Sequence, residues 1–527
     1  MIKEFNTTGV CVPDKHYMAD ISGKISEIMK LVDKGNYFVI NRPRQYGKTT
    51  ILFMLNRILK TSEDYFPINI SFEGIGEGSY VDDSTFIDSF LLLLKGKIEN
   101  SNRKDVVEFL ENTPQPQNFT QMDNWINRLI SKIGKKVVLL VDEVDKSSNN
   151  QLFLDFLGML RTKYLKRFEE GEYTFFSVIL AGVHDVKTLK LKLRSDSETK
   201  YNSPWNIAVD FEVDLSLSIN EIASMLEDYM KERKIKIDIP IIAQKLFYFT
   251  SGYPFLVSLL CKIIDEKILP GKSPQEALEW KDDDLNYAVQ IAVKKDNTNF
   301  DSLIKNLENN PELYEFVFKI IIDGVEYFFN LHNSLIHFGR LYGILKDEKG
   351  KVRVHNRIYE QIIYNYMISK LETLGDSKLN VIANSFMDKN NRLDIQKVIL
   401  KFQEFMKQQY SSKDSTFIER NGRLLFLAYI RPIINGKGFD FKEVQVSEEK
   451  RLDIVITFED KRYIIELKIW RGEAYHQEGI RQLCDYLDRQ NEKSGHLLIF
   501  DLRKESGLIG KSETLNIFDK QIFTAFV

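Results

Sequence analysis

The stretch NRPRQYGKTT, at residues 41–50, decides how the chain around it folds. Its last four residues, GKTT, are of the types that close a phosphate-binding loop, in which a lysine and a hydroxyl follow a glycine. Arg42, however, stands five residues before Gly47, where such a loop usually has its first glycine. The stretch is therefore either an unusual nucleotide loop or a chance Gly-Lys-Thr in a lysine-rich chain.

The segments on either side favour the nucleotide loop. YFVI precedes it as an apolar strand, and ILFMLNRILK follows it with apolar residues at helical spacing. This order brings the free N–H groups and the positive dipole end of a helix to an anion. We expect Lys48 to reach the β- and γ-phosphates and Thr49 to ligate Mg²⁺. The residues predicted to bind ATP are Arg44, Gln45, Tyr46, Gly47, Lys48, Thr49, Thr50 and Asp142.

The second half of the predicted site is VVLLVDEVD, at residues 137–145. An apolar strand there ends in two acidic residues. A carboxylate at a strand end can complete the shell of a magnesium ion, so Asp142 joins Thr49 as a predicted metal ligand. Glu143 is predicted to be catalytic, because its carboxylate can orient the attacking water.

Strands and helices alternate through the first half of the chain, as in a doubly wound α/β domain. The strand-like runs, which are short, apolar and suited to a parallel sheet buried on both faces, lie at residues 37–40, 66–72, 136–144 and 175–183. We assign residues 1–215 to the nucleotide-binding core. The helical residues 216–295 are expected to form a lid.

The rest of the chain divides into three segments. Residues 296–374 contain helices followed by a basic hairpin, which predicts a winged-helix module, with a plain connecting domain as the alternative. The polar residues 375–394 are the linker candidate. Residues 395–527 are expected to form a last α/β unit.

Composition narrows the class of protein. A net charge of −3 over 527 residues gives no global field toward DNA or a membrane, so any nucleic-acid surface must be a local patch. The three cysteines lie far apart and fit neither a metal site nor a disulfide framework. The N-terminus has no apolar signal region, and no run of 18 apolar residues is present. We expect a cytoplasmic protein that does not enter a membrane.

Several segments together resemble the AAA-like ATP-binding proteins of bacteria, P-loop ATPases close to the archaeal-type and signal-transduction ATPases. The matching segments, in order along residues 5–265, are FNTTGVCVPDKHYMADI, NRPRQYGKTT, VDEVD, FLDFLGMLR, SVILAGVHDVKTLK, YNSPWNIA and SGYPFLVSLLCK. In that family an arginine-rich loop is usual, so the resemblance implies that Arg42 is a family variant. It also implies that the strand end at residues 181–183 lies at the sensor position near the γ-phosphate, and that residues 252–254 pack the lid against the nucleotide.

Arg42 and Arg44 remain open to two interpretations. They either stiffen the loop and add surface charge, or they contact phosphate or reach into a neighbouring subunit. The sequence does not decide between these roles.

A second group of candidate residues lies in RLDIVITFEDKRYIIELKIW, at residues 451–470. In the second of its two predicted strands, alternation puts Glu466 and Lys468 side by side on one face. Two charges are costly in a strand whose other positions are apolar, unless they are used. A surface hairpin with an ion pair is the alternative.

Asp453, Glu466 and Lys468 are spaced on adjacent strands as in the PD-(D/E)xK nuclease superfamily, which this segment resembles. The resemblance implies that Asp453 and Glu466 hold Mg²⁺, and that Lys468 orients the attacking water or stabilises charge. Glu419 is the best match to the upstream acidic residue that often completes this catalytic set. The expected fold class is therefore α/β, with a P-loop NTPase core, a helical lid, a winged helix and a restriction-endonuclease-like C-terminal domain.

The helix expected after this strand is EAYHQEGIRQLCDYLDRQ. Its predicted buried stripe consists of Ile480, Leu483, Cys484 and Leu487. Gln482, Tyr486 and Arg489 lie on a different face, which suits contact with a substrate.

Together these features predict an ATPase whose nucleotide state controls a magnesium-dependent nuclease acting on DNA. ATP and Mg²⁺ are the expected cofactors, and nucleic acid and a homo-oligomer or partner protein are the expected partners. The family resemblance implies defence against foreign DNA. The alternative is an ATP-gated regulator whose C-terminal domain binds nucleic acid or protein without cutting it.

Overall fold

The structure is a computed structural model, and it describes residues 2–100, 103–147, 150–183, 205–295, 297–321, 325–373, 386, 392–409, 426–427, 430, 438–441, 454–458, 461–490, 492–503, 507–517 and 519–527. The chain folds into two compact units. The first contains Met1–Asn306, Phe329–Lys349 and Arg353–Tyr359. The second contains Leu307–Phe328, Gly350–Val352 and Glu360–Val527.

The secondary structure is numbered along the described chain. The helices are α1 Ser22–Asp33, α2 Lys48–Thr61, α3 Asp83–Glu99, α4 Lys104–Asn112, α5 Phe119–Ile133, α6 Gln151–Lys166, α7 Ile219–Arg233, α8 Ile239–Thr250, α9 Pro254–Ile263, α10 Asp282–Lys294, α11 Thr298–Glu308, α12 Pro311–Ile321, α13 Ser334–Leu341, α14 Arg357–Thr373, α15 Ile395–Gln409 and α16 Glu473–Gln490. The strands are β1 Tyr37–Asn41, β2 Tyr65–Ser71, β3 Lys136–Asp142, β4 Ser177–Gly182, β5 Leu345–Glu348, β6 Lys351–Val354, β7 Gly438–Phe441, β8 Ile454–Phe458, β9 Lys461–Ile469, β10 Ser494–Phe500, β11 Ser512–Ile517 and β12 Lys520–Phe526.

A parallel sheet with the strand order β1-β4-β3-β2 lies at the centre of the first unit. All residues of β4 are buried, as expected for a strand covered on both faces. The predicted strands at this position in the sequence are confirmed, with bounds that differ by one or two residues. The prediction of an α/β core of the P-loop type is therefore confirmed.

The register of this sheet brings several strand ends to one edge. Asn41 pairs with Gly182, and Ser71 pairs with Asp142. The carboxyl edge of a parallel sheet is where ligands of α/β proteins bind, because the loops to the next helices open there. The loop of residues 41–50 begins at this edge.

The main apolar core of the first unit packs against the sheet and fixes these strand ends. Phe86, Phe90, Phe153 and Phe156 are fully buried in it, alongside Leu139 of β3. These aromatic side chains belong to α3 and α6, and their close packing leaves little freedom to the strand against which they pack. Residues at the end of β3 are thereby held in place.

Helices α7 to α10 form the predicted helical lid, which is confirmed. Ser218 begins α7 with a capping box in which Glu221 is the partner. Between α8 and α9, Gly252 adopts a φ of 71°. Its carbonyl accepts a hydrogen bond of 2.7 Å from the N–H of Leu217.

Three helices, α11, α12 and α13, precede β5 and β6, whereas the sequence predicts two helical stretches before the hairpin. β5 and β6 form a separate two-stranded sheet. The winged-helix assignment of residues 296–374 stays a prediction, as do the other domain bounds.

A mixed sheet with the order β11-β12-β10-β9-β8-β7 builds the second unit. β9, β10 and β12 are mutually parallel neighbours, and the outer pairings are antiparallel. Helix α16 covers one face, where Leu483 and Leu487 join Ile464 and Leu497 in an apolar cluster. The predicted buried stripe of this helix is confirmed. None of the helices in the described part of the chain combines the length and apolar character that crossing a bilayer requires.

Candidate functional site

The loop between β1 and α2 has the backbone conformation of an anion-binding turn. Arg42 N–H donates to the carbonyl of Gly182 at 3.1 Å, which ties the start of the loop to β4. Gln45 and Gly47 have positive φ values of 55° and 83°. Gly47 caps α2 in the left-handed region, which glycine adopts without steric cost. The first N–H groups of α2, beginning at Lys48, are left without partners in the helix and suit an anion.

Lys48 is held across this loop. Its side chain is only 7% exposed, and Nζ donates to the carbonyls of Arg42 and Pro43, both at 2.8 Å. Burial lowers the pKa of Lys48, and the carboxylates of Asp145 and Glu143 oppose that shift. A buried ammonium group is therefore held in the loop, within electrostatic reach of the acidic end of β3.

The end of β3 carries the two acidic residues predicted for the nucleotide site. Asp142 is 6% exposed, and its Oδ1 accepts the N–H of Glu143 at 2.9 Å. Glu143 itself has a φ of 55°, so the chain turns sharply after the strand. Burial and the neighbouring Asp142 raise the pKa of Glu143, while Lys48 lowers it. A carboxylate with a raised pKa is suited to accept a proton.

Asp145 is a site residue that sequence reasoning missed. Its two carboxylate oxygens accept the N–H of Val183 at 2.8 and 2.6 Å, which joins the ends of β3 and β4. A Cβ on Gly182 would lie 2.9 Å from Asp145 Oδ1, so glycine is needed for this approach. The sequence feature that could have indicated this role is that Asp145 is the third acidic residue of VDEVD.

Arg42 turns away from the anion-binding turn. Its guanidinium donates to the carbonyls of Asn41 at 2.9 Å and Val213 at 2.8 Å. Cζ lies 5.3 Å from the ring centroid of Phe211, within cation–π range. Burial, followed by the charge of Arg340, lowers the pKa of Arg42. Of the two interpretations, this arrangement favours the one in which Arg42 stiffens the loop.

Tyr46 ties the loop to two other parts of the first unit. Its hydroxyl lies 2.6 Å from Ser216 Oγ and 3.0 Å from Nε2 of His355, at the end of the β5–β6 hairpin. Burial lowers the pKa of His355 to about 3, so its imidazole is neutral. Tyr253, in the lid, donates from its hydroxyl to the carbonyl of Arg44 at 2.5 Å. Because the Tyr46 hydroxyl is engaged in these contacts, the prediction that Tyr46 binds nucleotide now concerns its backbone groups.

The other predicted loop residues differ in their surroundings. Arg44, Gln45 and Thr49 are exposed. Thr50 is half-buried, and its hydroxyl accepts the N–H of Cys11 at 3.1 Å. The N-terminal segment is thereby attached to the first turn of α2, a contact that no local sequence pattern predicts.

Glu466 and Lys468 lie side by side on β9, as the strand alternation predicted. Glu466 is fully buried, and its Oε1 is 2.8 Å from Lys468 Nζ. Lys468 also donates to Gln482 Oε1 of α16 at 3.3 Å, and its stem packs over Gly479. Taking these charges out of water carries a desolvation cost, which their attraction repays only where geometry and further hydrogen bonds are good.

The other residues of the predicted C-terminal site have different outcomes. Asp453 and Glu419 lie outside the described residues. The prediction that Tyr486 faces a substrate is wrong, because it is only 7% exposed and packs in the apolar cluster under α16. Gln482 is instead engaged by Lys468. No group of three or more potential metal ligands of the Asp, Glu, His and Cys types occurs within the described ranges.

The parallel sheet, the turn at Gly47, the buried Lys48 and the acidic end of β3 define a P-loop nucleotide-binding protein. Residues 12–364 match the family described as AAA-like domain. This match covers more than half of the chain, and the chain belongs to that family. It is an ATP-binding AAA-like ATPase.

Solved structures with a similar course of the chain are distant in sequence. The Walker-type ATPase PABY2304 of Pyrococcus abyssi is 11% identical, with a TM-score of 0.45, and the match covers 68% of this chain and 99% of that one. The ORC2 protein of Aeropyrum pernix is 11% identical, with a TM-score of 0.40 and coverage of 71% and 100%. RuvB of Thermotoga maritima is 12% identical, with a TM-score of 0.32 and coverage of 64% and 92%. No curated protein matches the chain.

Proposed function

We propose that the phosphates of ATP lie on the first turn of α2, between the loop of residues 41–50 and the end of β3. The observation that carries this placement is the position of Lys48, which is buried, hydrogen-bonded to two loop carbonyls and within electrostatic reach of the acidic strand end. A cation in this position offsets phosphate charge more strongly than an exposed one, because water screens it less.

The residues at this site suit a magnesium ion. Thr49 offers an exposed hydroxyl at the start of α2, and Asp142 offers a carboxylate that the Glu143 N–H holds in place. Oxygen donors of this kind are what Mg²⁺ binds, with water filling the remaining positions. Bound there, the ion would neutralise charge on the β- and γ-phosphates.

Glu143 is the proposed catalytic residue of ATP hydrolysis. It is half-buried, and the pKa of its carboxyl is raised by burial and by Asp142. An ionised carboxylate there can accept a hydrogen bond from the attacking water and orient it toward the γ-phosphate.

Replacing Lys48 by alanine tests this placement. We expect Lys48→Ala to abolish ATP binding measured by calorimetry, and Glu143→Gln to keep binding while losing turnover by about 10²-fold or more. Lys60→Ala is the matched control, because Lys60 is an exposed lysine of the same helix. An unchanged ATP affinity in Lys48→Ala would overturn the proposal.

We further propose that the second unit is a nuclease domain that the ATPase controls, with Asp453, Glu466 and Lys468 as its catalytic residues. The buried Glu466 paired with Lys468 supports this function, because the pair carries a desolvation cost among the apolar residues in the second half of β9. Glu466 would supply one oxygen ligand to Mg²⁺, together with Asp453. Glu419 is the proposed third acidic residue.

In this proposal, ATP binding and hydrolysis change domain packing or assembly, and that change allows DNA to be cut. A second subunit or a partner protein would take part in the change. The biological role that suits such an enzyme is defence against foreign DNA. The alternative proposal is a regulator whose second unit binds nucleic acid or a partner protein without cutting it.

Lys468→Ala distinguishes these two proposals. With Mg²⁺ and ATP present, we expect the wild type to cleave DNA and Lys468→Ala to be slower by about 10²-fold or more, as for loss of other charge-stabilising groups. Lys461→Ala, at an exposed position of the same strand, should cleave like the wild type. If the wild type binds DNA or RNA but cuts neither, the non-cleaving regulator is supported and the nuclease proposal fails.

A further inference from the structure

A small cavity lies beside the nucleotide loop. Its volume is about 260 Å³, and it is lined by Arg44 from the loop, Asp145 and Val183 from the ends of β3 and β4, and Ser302 and Lys305 from α11. All of these residues belong to the first unit. Helix α11 follows the lid in sequence, and none of the sequence features assigned above to ATP binding includes it.

The charge on this cavity is directed at an anion. Arg44 and Lys305 are both exposed. Among the described residues, neither side chain makes a hydrogen bond or an ion pair. The acidic Asp145, by contrast, is already engaged by the N–H of Val183. The lining thus carries two cations against the one carboxylate of Asp145, and this excess of positive charge favours a bound anion.

The cavity also carries an oriented amide. Asn299, on the first turns of α11, lines it and is 6% exposed. The hydroxyl of the fully buried Tyr359 donates to Asn299 Oδ1 at 2.6 Å. This bond fixes the orientation of the amide, whose nitrogen lies near the Tyr253 hydroxyl at the cavity wall and carries N–H groups that can donate to a ligand.

Size and position identify the part of the nucleotide that fits. A volume of about 260 Å³ is below the ~300–1,000 Å³ of sites that enclose a whole small molecule. Asp145, which lines the cavity, is the largest charge partner of Lys48, and Arg44 acts on the same lysine. The cavity therefore adjoins the phosphate end of the site, and it has room for one phosphate group together with water.

We propose that Lys305, with Arg44 and Asn299, receives the terminal phosphate of ATP, so that α11 distinguishes ATP from ADP. This inference rests on the proposed placement of the phosphates at Lys48. ADP lacks the group that would reach Lys305, so only ATP draws α11 toward the loop. Helix α11 becomes the element through which the nucleotide state is read.

The test compares ATP and ADP affinities by calorimetry, in the full-length protein with Mg²⁺. We expect Lys305→Ala to lower the ratio of ATP to ADP affinity by about tenfold, the effect of losing one charge-assisted hydrogen bond. Lys305→Arg keeps the cation and should retain most of that ratio. Lys295→Ala, an exposed lysine just before α11, is the matched control and should leave it unchanged.

Two results would overturn the inference. Equal weakening of ATP and ADP by Lys305→Ala would show a general attraction to nucleotide, and no change in either affinity would show that Lys305 takes no part. Both leave the nucleotide site itself intact if Lys48→Ala still abolishes binding. Failure of the wild type to bind ATP would instead refute the placement at Lys48.

Discussion

Gly252 carries a constraint that no other residue type meets at its position. Its φ of 71° lies in the left-handed region, and an added Cβ would come within 2.1 Å of the carbonyl oxygen of Leu217. That contact is with backbone, which cannot turn aside as a side chain can. The hydrogen bond from Leu217 N–H to the Gly252 carbonyl fixes the two segments at this distance.

We expect Gly252→Ala to destabilise the lid. The left-handed conformation alone costs alanine about 1–2 kcal/mol, and the clash with Leu217 adds to this. Thermal unfolding followed by circular dichroism should show a lower Tm, together with weaker ATP binding, because Tyr253 next to it holds the loop carbonyl of Arg44. Gly96→Ala is the matched control, since Gly96 lies in α3 with no atom near an added Cβ. That change should stabilise the protein by about 0.5–1 kcal/mol. Equal effects of the two variants would contradict the argument.

At the scale of elements, the loop between β1 and α2 is held from three directions. Tyr253 contacts it from the lid, Val213 contacts it from the segment that precedes α7, and His355 contacts it from the β5–β6 hairpin. A loop fixed in this way is preorganised for phosphate, so less conformational entropy is lost on binding. The buried His355 is the part of this arrangement that responds to pH.

We expect acid to weaken the contact between His355 of the β5–β6 hairpin and Tyr46 of the phosphate-binding loop. The pKa of His355 falls from 6.5 to about 3 through burial and the nearby Lys346, with Asp214 opposing. The unfolded chain therefore takes up a proton first. The stability that comes from neutral His355 is complete above pH 6.5 and is lost as the pH falls toward 3, at up to about 1.4 kcal/mol per pH unit.

Melting curves between pH 7 and pH 5 check this expectation. The Tm of the wild type should fall more steeply than that of His355→Gln, whose side chain can still accept a hydrogen bond from Tyr46. His332→Gln, at an exposed histidine of the same unit, should follow the wild type. Parallel curves for the wild type and His355→Gln would show that another group controls the acid response. His496, buried in the second unit with a pKa lowered to about 4, is present in all three proteins.

The helices and strands could be predicted because they depend on local patterns of apolar residues. The strands of the first sheet are continuous apolar runs, and the helix after Gly47 has its apolar residues at helical spacing. The positions of Lys48, Asp142 and Glu143 followed from those elements. The contacts of Tyr46 and Arg42 did not, because each depends on residues distant in sequence whose approach only the folded chain sets. The prediction for Tyr486 was wrong because helical spacing shows which residues of α16 share a face. It does not show how much of the helix surface the sheet covers.

At the scale of the whole molecule, the two candidate sites lie in different compact units. The ATP site is built from residues of the first unit, and the Glu466–Lys468 pair belongs to the second. The net charge of −3 gives the chain as a whole no global attraction to nucleic acid. Any control of one site by the other therefore requires a change in structure, and α11 is the element that we expect to respond to ATP.

The hydrogen bond between Tyr46 and His355 joins residues 309 positions apart, and this has a consequence for synthesis. A ribosome adding about 5–20 residues per second makes His355 roughly 15–60 s after Tyr46. During that time the phosphate-binding loop lacks its contact with His355. A newly made chain thus acquires a fully held loop only after the hairpin has been translated, so the ATP site matures late although its sequence is made early.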